Sequence, residues 1–161
     1  MLLFWGENDY SNANYMEAMW TNDTTGSGIG KLSYNSIEGV EAFSDRSIAT
    51  IEKSPEFALE RWEVDTGAPT YTGKSIGGQG DADSLFNNPK DVTIDTDDWV
   101  YVLDILSTGQ PRIKVFDDNL IPVTGFGDST SIPGTPLAID WDDAHDSLHV
   151  LTSTTTVVFD K

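Results

Sequence analysis

The sequence has no cysteine, which excludes disulfides, thiol nucleophiles and zinc sites built on thiolates, and removes redox chemistry as a guide to compartment. Basic side chains are scarce: 9 Lys and Arg stand against 27 Asp and Glu, for a formal net charge of -18. With no basic patch to neutralise phosphates, nucleic acid and anionic membranes are excluded as partners. There are 2 histidines, His145 and His149, so any imidazole base or ligand must be one of them. No long hydrophobic run occurs. The apolar opening Met1-Leu2-Leu3-Phe4-Trp5 gives way at once to Gly6, Glu7 and Asp9, too short for a signal core or a membrane span. An acidic surface of this kind fits a secreted or salt-adapted protein, and an extracellular or periplasmic location is expected, with any targeting peptide lying outside this sequence. Asn22-Asp23-Thr24 fits the N-glycosylation triplet, a pattern frequent by chance.

What is present is a repeat of short apolar runs bounded by turn residues. The clearest unit contains Gly77-Gly78-Gln79-Gly80, then Phe86 and Pro89-Lys90-Asp91-Val92-Thr93-Ile94-Asp95, then Trp99 to Asp104, then Arg112 to Asp117. Each run is β-branched or alternating and is closed by Asp, Gly, Asn or Pro, as strands and turns require. The order returns in Pro136 to Asp140, Ser147 to Leu151 and Val157 to Asp160; Asp95 and Asp140 are 45 residues apart, Phe116 and Phe159 are 43. An earlier unit, in phase, has Gly39 to Phe43, Ser47 to Ile51 and Leu59 to Trp62, with Val40 and Val92 separated by 52 and Trp62 and Phe116 by 54. At the N-terminal side, Leu3-Phe4 and Met19-Trp20 fall where second and third strands belong. A spacing in the forties to fifties with about four strands per unit indicates propeller blades rather than helical repeats. Ser54 to Arg61 offers a helix start at Pro55 but stands where a third strand belongs, and is read as strand. The expected units are 1–30 (partial), 31–79, 80–127 and 128–161 (partial).

The run from the Gly-rich turn through Phe86, Pro89, Val92-Thr93-Ile94-Asp95, Val100-Tyr101-Val102-Leu103-Asp104 and Arg112-Ile113-Lys114-Val115-Phe116 resembles the NHL repeat of β-propellers. The likeness is clear over 77–128, partial over 129–161 and faint over 1–76. It implies four-stranded blades around a central channel, in a family that includes both scaffolds and enzymes. It also implies that Asp104 and Arg112 hold blades together by satisfying buried polar groups. Thr152 and Glu52 stand at the Asp position in the neighbouring units, which marks those repeats as degenerate.

Asp95-Thr96-Asp97-Asp98 and Asp140-Trp141-Asp142-Asp143-Ala144-His145-Asp146 are the densest oxygen-ligand clusters. Asp95, Asp97, Asp140 and Asp142 are therefore the candidate ligands for weakly bound calcium. Neither cluster fits the EF-hand loop, and both fall where a strand-to-strand turn is needed, which Asp caps through its own side chain. His145 and His149 read as structural or surface residues. Gly26-Ser27-Gly28-Ile29-Gly30-Lys31 fails as a phosphate loop, because Thr25 stands where the first Gly is required and Leu32 follows the Lys; its glycines are expected in an inter-blade turn. No nucleophile elbow occurs. Trp5, Trp20, Trp62, Phe116 and Phe159 recur in phase, as inter-blade packing demands.

The expected fold is all-β: a β-propeller-like array of about three and a half four-stranded antiparallel blades, part of a larger ring. The expected function is a non-catalytic binding or structural module engaging a protein partner, without catalytic residues or an organic cofactor. The alternative is a fragment of a divalent-metal-dependent propeller hydrolase or lyase of the lactonase or esterase kind, with Glu52, Asp104 and Asn8 or Asp9 placed towards the channel. Because an open array leaves strand edges and an apolar blade face uncovered, the ring is expected to be completed by a second copy or, in preference, by another stretch of polypeptide of which this chain is a fragment.

Overall fold

The computed structural model describes residues 2–9, 13–22, 25–34, 37–63 and 70–161, with side chains described for 37–63 and 74–161. The described residues are all-β and contain no helix. They form β1 (Leu2–Asp9), β2 (Ala13–Asn22) and β3 (Thr25–Tyr34); β4 (Ile37–Ala42), β5 (Ile48–Glu52), β6 (Ala58–Glu63) and β7 (Thr70–Gly77); β8 (Pro89–Ile94), β9 (Val100–Ile105), β10 (Pro111–Phe116) and β11 (Pro122–Phe126); and β12 (Pro136–Asp142), β13 (Ser147–Thr152) and β14 (Thr156–Asp160). Each group is one antiparallel meander, giving sheets of 3, 4, 4 and 3 strands. Hairpin-connected strands in repeated small sheets are the propeller solution to burying two-faced strands.

The repeat read from the sequence maps onto strand order. Val40, Val92 and Ile139 lie on the first strands β4, β8 and β12, and these three run side by side, so that successive blades meet along their inner strands. Close approach is enforced at Gly39: a Cβ there would stand 2.6 Å from Asp91 Oδ1 and 2.9 Å from Val92 N. The Gly-rich turn is required for a similar reason. At Gly77 φ is 155°, and a Cβ would meet Phe57 O at 2.1 Å.

Two cores fill the spaces between blades. One gathers Phe43, Ile51, Leu59, Phe86, Val92, Val102 and Phe116, and the other Tyr101, Leu103, Ile113, Ile139, Trp141, Leu148 and Val150. Phe86 and Phe116 pack with ring centroids 5.9 Å apart, and Phe126 meets Phe159 edge-on at 5.2 Å. Two of the recurrent aromatics thus do pack between strands, while the side chains of Trp5 and Trp20 lie outside the described residues.

Aspartates build the turns. Asp45, Asp95, Asp117 and Asp142 each accept a hydrogen bond from the backbone N–H two residues on, at 2.8 to 2.9 Å, which is the Asx geometry that makes Asp a turn residue. The turns after β4, β8 and β12 each hold one residue at positive φ: Arg46, Asp98 and Asp146.

Four expectations need correction or relocation. The run Gly26 to Lys31 lies within β3, paired along β2, so it is neither a turn nor a loop; glycine tolerates extended backbone, and pairing imposes it here. Ser54 to Phe57 is a turn, and the third strand begins at Ala58. Arg112 does not satisfy a buried group: its side chain is a third exposed and its Nη2 stands 3.9 Å from Asp83 Oδ1. The buried cation of this blade is Lys114, two residues along the same face of β10, whose Nζ lies 5.4 Å from the centroid of the Phe86 ring. The triplet at Asn22 lies partly outside the described residues.

Candidate functional site

The inner strands carry the site. One residue of each turns its carboxylate onto the next backbone N–H: Ala42 N donates to Glu41 Oε1 at 2.8 Å, Val92 N to Asp91 Oδ1 at 2.9 Å, and Trp141 N to Asp140 Oδ1 at 3.0 Å. An N–H on the inward edge of a first strand has no neighbouring strand to pair with, and a short acidic side chain supplies the missing acceptor. Asp91 also accepts from Ile139 N at 3.0 Å, tying β8 to β12. The same device at three blades sets Asp91 and Asp140 close enough to Glu41 to raise its carboxyl.

Where β4, β8 and β12 end, a cleft of about 480 Å³ opens, lined by Glu41, Asp95, Asp98, Asp140, Trp141 and Asp143 among others. Its electrostatics are those of like charges held together. Burial raises the Glu41 carboxyl above its usual range and the bond from Ala42 lowers it, while Asp140, Asp91 and Asp143 push it up further. Asp91 is raised mainly by burial and additionally by Asp140, against the two backbone bonds it accepts. Among the described residues, none of Glu41, Asp98, Asp140 and Asp143 is ion-paired with Lys or Arg. Asp98 instead accepts from Ser44 N at 2.7 Å and Ser44 Oγ at 2.6 Å, joining adjacent turns. A cation entering this cleft relieves repulsion, and an anion meets it.

The four sequence-predicted calcium ligands do not meet at one point. Asp95 is fully buried; its Oδ1 accepts from Asp97 N and Trp99 N, both at 2.9 Å, and its Oδ2 from Tyr101 Oη at 2.9 Å. Lys161 Nζ lies 2.9 Å from Asp95 Oδ2 and 2.6 Å from Asp97 Oδ2, so these two are brought together around an ammonium. Asp140 stands on the cleft. Asp142 is held by His145 Nδ1 at 2.6 Å, a bond that lowers its carboxyl below the usual range. Among the described residues no group of three or more His, Asp or Glu is arranged to hold a metal ion.

Nor is a nucleophile assembled around the histidines. Ser147 Oγ meets His149 Nε2 at 3.2 Å, but the nearest carboxylate, Asp142, approaches the same nitrogen at 4.0 Å. A triad needs the two ring nitrogens to bridge nucleophile and acid. Asp104 and Glu52 are buried at the ends of second strands, within their blades and away from the residues that line the cleft. Asn8 and Asp9 fall on β1, where side chains lie outside the described residues.

Sequence reasoning missed Glu41 and Lys161. Glu41 was legible in principle, because Val40-Glu41-Ala42 aligns with Ile139-Asp140-Trp141 once the repeat is in register. Lys161 carried no local signal; its role depends on a turn 64 residues earlier.

No protein-family model matches the chain, and no curated protein matches its sequence. Among solved structures, a candidate gluconolactonase superposes with a TM-score of 0.63 at 12% identity, over 95% of this chain and 47% of that one. A protein of unknown function from Bacteroides caccae aligns at 12% identity over 93% of this chain and 57% of that one, with a TM-score of 0.48. The chain thus spans about half the length of these structures. The first likeness carries the fold: the described blades are those of a β-propeller.

Proposed function

We propose that the chain is a binding module of the β-propeller kind, and that its acidic cleft at the ends of the inner strands receives a basic segment of a protein partner. The observation that carries this reading is the convergence of Glu41, Asp140 and Asp143 on one cleft, with no cationic side chain of the described residues neutralising them. Repulsion among fixed carboxylates raises the free energy of the empty cleft and is relieved by a bound cation. Charge complementarity of this type also speeds encounter and weakens with salt. The repeat of residues 77–128 resembles the NHL type, and loops held at one face of a rigid scaffold are where binding residues concentrate.

The test is titration of the chain with an Arg- and Lys-rich peptide. Neutralising the lip with Glu41→Gln, Asp140→Asn and Asp143→Asn is expected to weaken binding by about tenfold or more, roughly 1.4 kcal/mol. Equal affinity in the triple variant overturns the reading.

A second reading rests on the likeness to the candidate gluconolactonase: a fragment of a divalent-metal-dependent hydrolase acting on a sugar lactone or similar ester. Asp140 would then contribute to a site completed by blades this chain does not contain. Lactone hydrolysis that requires a divalent ion and is lost with Asp140→Asn favours the second.

A further inference from the structure

Beside the cleft, four side chains from two blades surround one ammonium group. The turn between β8 and β9 supplies Asp95, Asp97 and Trp99, and β12 supplies Trp141. Lys161 Nζ sits among them, 2.9 Å from Asp95 Oδ2, 2.6 Å from Asp97 Oδ2, 6.0 Å from the Trp99 ring centroid and 5.8 Å from that of Trp141. Trp141 is held in place by stacking on Tyr101, with centroids 5.3 Å apart and planes 19° from parallel. Tyr101 in turn donates its hydroxyl to Asp95.

We propose that Asp95, Asp97, Trp99 and Trp141 form a cage for an alkylammonium group, occupied by the chain's own Lys161 until a lysine presented by a partner displaces it. This deepens the cleft reading and rests on it, since Asp95 and Trp141 line both the cage and the cleft.

Three observations support a site rather than a chance surface pair. Asp95 is wholly buried, and its other donors are neutral N–H and O–H groups, so only the ammonium compensates its charge. Two indole faces within about 6 Å of the same cation are the arrangement by which aromatic cages attract ammonium groups. The Trp141 indole N–H is buried with no acceptor among the described residues, a polar group left unpaired beside the cage.

The cage has a way in and an occupant that can leave. Trp99 is 36% exposed and the Asp97 side chain 68% exposed, so the cage is open on that side. Burial works against the charge on Lys161, yet its bonds to Asp97 and Asp95 more than compensate and hold its pKa above the usual lysine range. The occupant is therefore a permanent cation, and an incoming ligand must be one too. Its backbone is tied by a long hydrogen bond, Lys161 N to Asp146 O at 3.3 Å. Apparent affinity for an external lysine is then reduced by the fraction of time the cage stands open.

The probe is the capped tripeptide acetyl-Gly-Lys-Gly-amide, titrated calorimetrically into the full 161-residue chain and its Lys161→Ala variant. The variant is expected to bind about tenfold more tightly than the wild type. The same peptide with norleucine for lysine is expected not to bind, and Trp99→Ala added to Lys161→Ala is expected to abolish the gain. Equal affinity for wild type and variant, or equal binding of the lysine and norleucine peptides, overturns the proposal. Should Lys161→Ala fail to fold, the wild type still decides: excess lysine peptide must shift the indole N–H resonances of Trp99 and Trp141, and unshifted resonances overturn it. If neutralising Glu41, Asp140 and Asp143 weakens the basic peptide while Lys161→Ala changes nothing, the cage falls and the cleft stands.

Discussion

At the scale of single residues, the fold depends on a charge pair with no access to water. Asp104 and Lys114 have 0% side-chain exposure and meet at 2.8 Å. Asp104 also accepts from Asn87 N and Asn88 N, at 3.1 and 2.8 Å, and Lys114 donates to the carbonyls of Ala82 and Leu85. The pair therefore pins the loop before β8 to the second and third strands of its blade. Burying such a pair gives little net stability, but removing one partner strands the other charge. Asp104→Ala is expected to cost about 3–5 kcal/mol, read as a lowered midpoint in urea. Arg112→Ala is the control, and its exposed contact with Asp83 is worth at most about 1 kcal/mol. A drop of similar size in the two variants would sink this assignment.

At the scale of elements, three blades solve the same problem differently. The register places Glu52, Asp104 and Thr152 at the same point on β5, β9 and β13, and Glu60, Lys114 and Val157 diagonally across from them on β6, β10 and β14, where they pair with Thr50, Val102 and Val150. Thr152 needs no cation, because its hydroxyl donates to Thr155 O at 2.9 Å. Glu52 has an acid at the diagonal position where Asp104 has a lysine, and its buried Oε1 accepts no hydrogen bond. Burial, with Glu60 and Glu56 adding repulsion, raises Glu52 from 4.5 to about 7. The folded blade thus binds a proton that the unfolded chain releases above 4.5. That contribution is complete below pH 4.5 and is lost as pH rises through about 7. Glu52→Gln is expected to flatten the fall in melting temperature between those limits, since a tenfold difference in proton affinity between the folded and unfolded chain corresponds to about 1.4 kcal/mol. A wild-type slope that the variant reproduces would refute it. The strands themselves were legible, because β-branched runs bounded by Asp, Gly and Pro report backbone state locally. The replacement of Lys114 by Glu60 was not, since it shows only once register across a hairpin is known.

At the scale of the whole molecule, the blade β12 to β14 has one face packed and one exposed. Ile139, Trp141, Leu148 and Val150 are buried against the preceding blade, while Leu137, Leu151 and Val158 stand 50%, 47% and 51% exposed. Such a patch is what a further blade would cover. The chain of 17.6 kDa is accordingly expected to associate, more strongly at high salt, where repulsion between bodies of net charge -18 is screened. Light scattering across a salt series checks this, and a monomer at every salt concentration would count against it. What the sequence determined alone is the all-β repeat of short strands, because period and turn chemistry are properties of short segments. The tertiary structure decided which carboxylates meet. Asp95 and Asp97 closed around Lys161, Asp140 joined Glu41 from another blade, and Asp142 turned to His145. Those pairings join residues up to 99 positions apart in the chain, as with Glu41 and Asp140, and only the packing of β4, β8 and β12 side by side brings their charges within reach of one another.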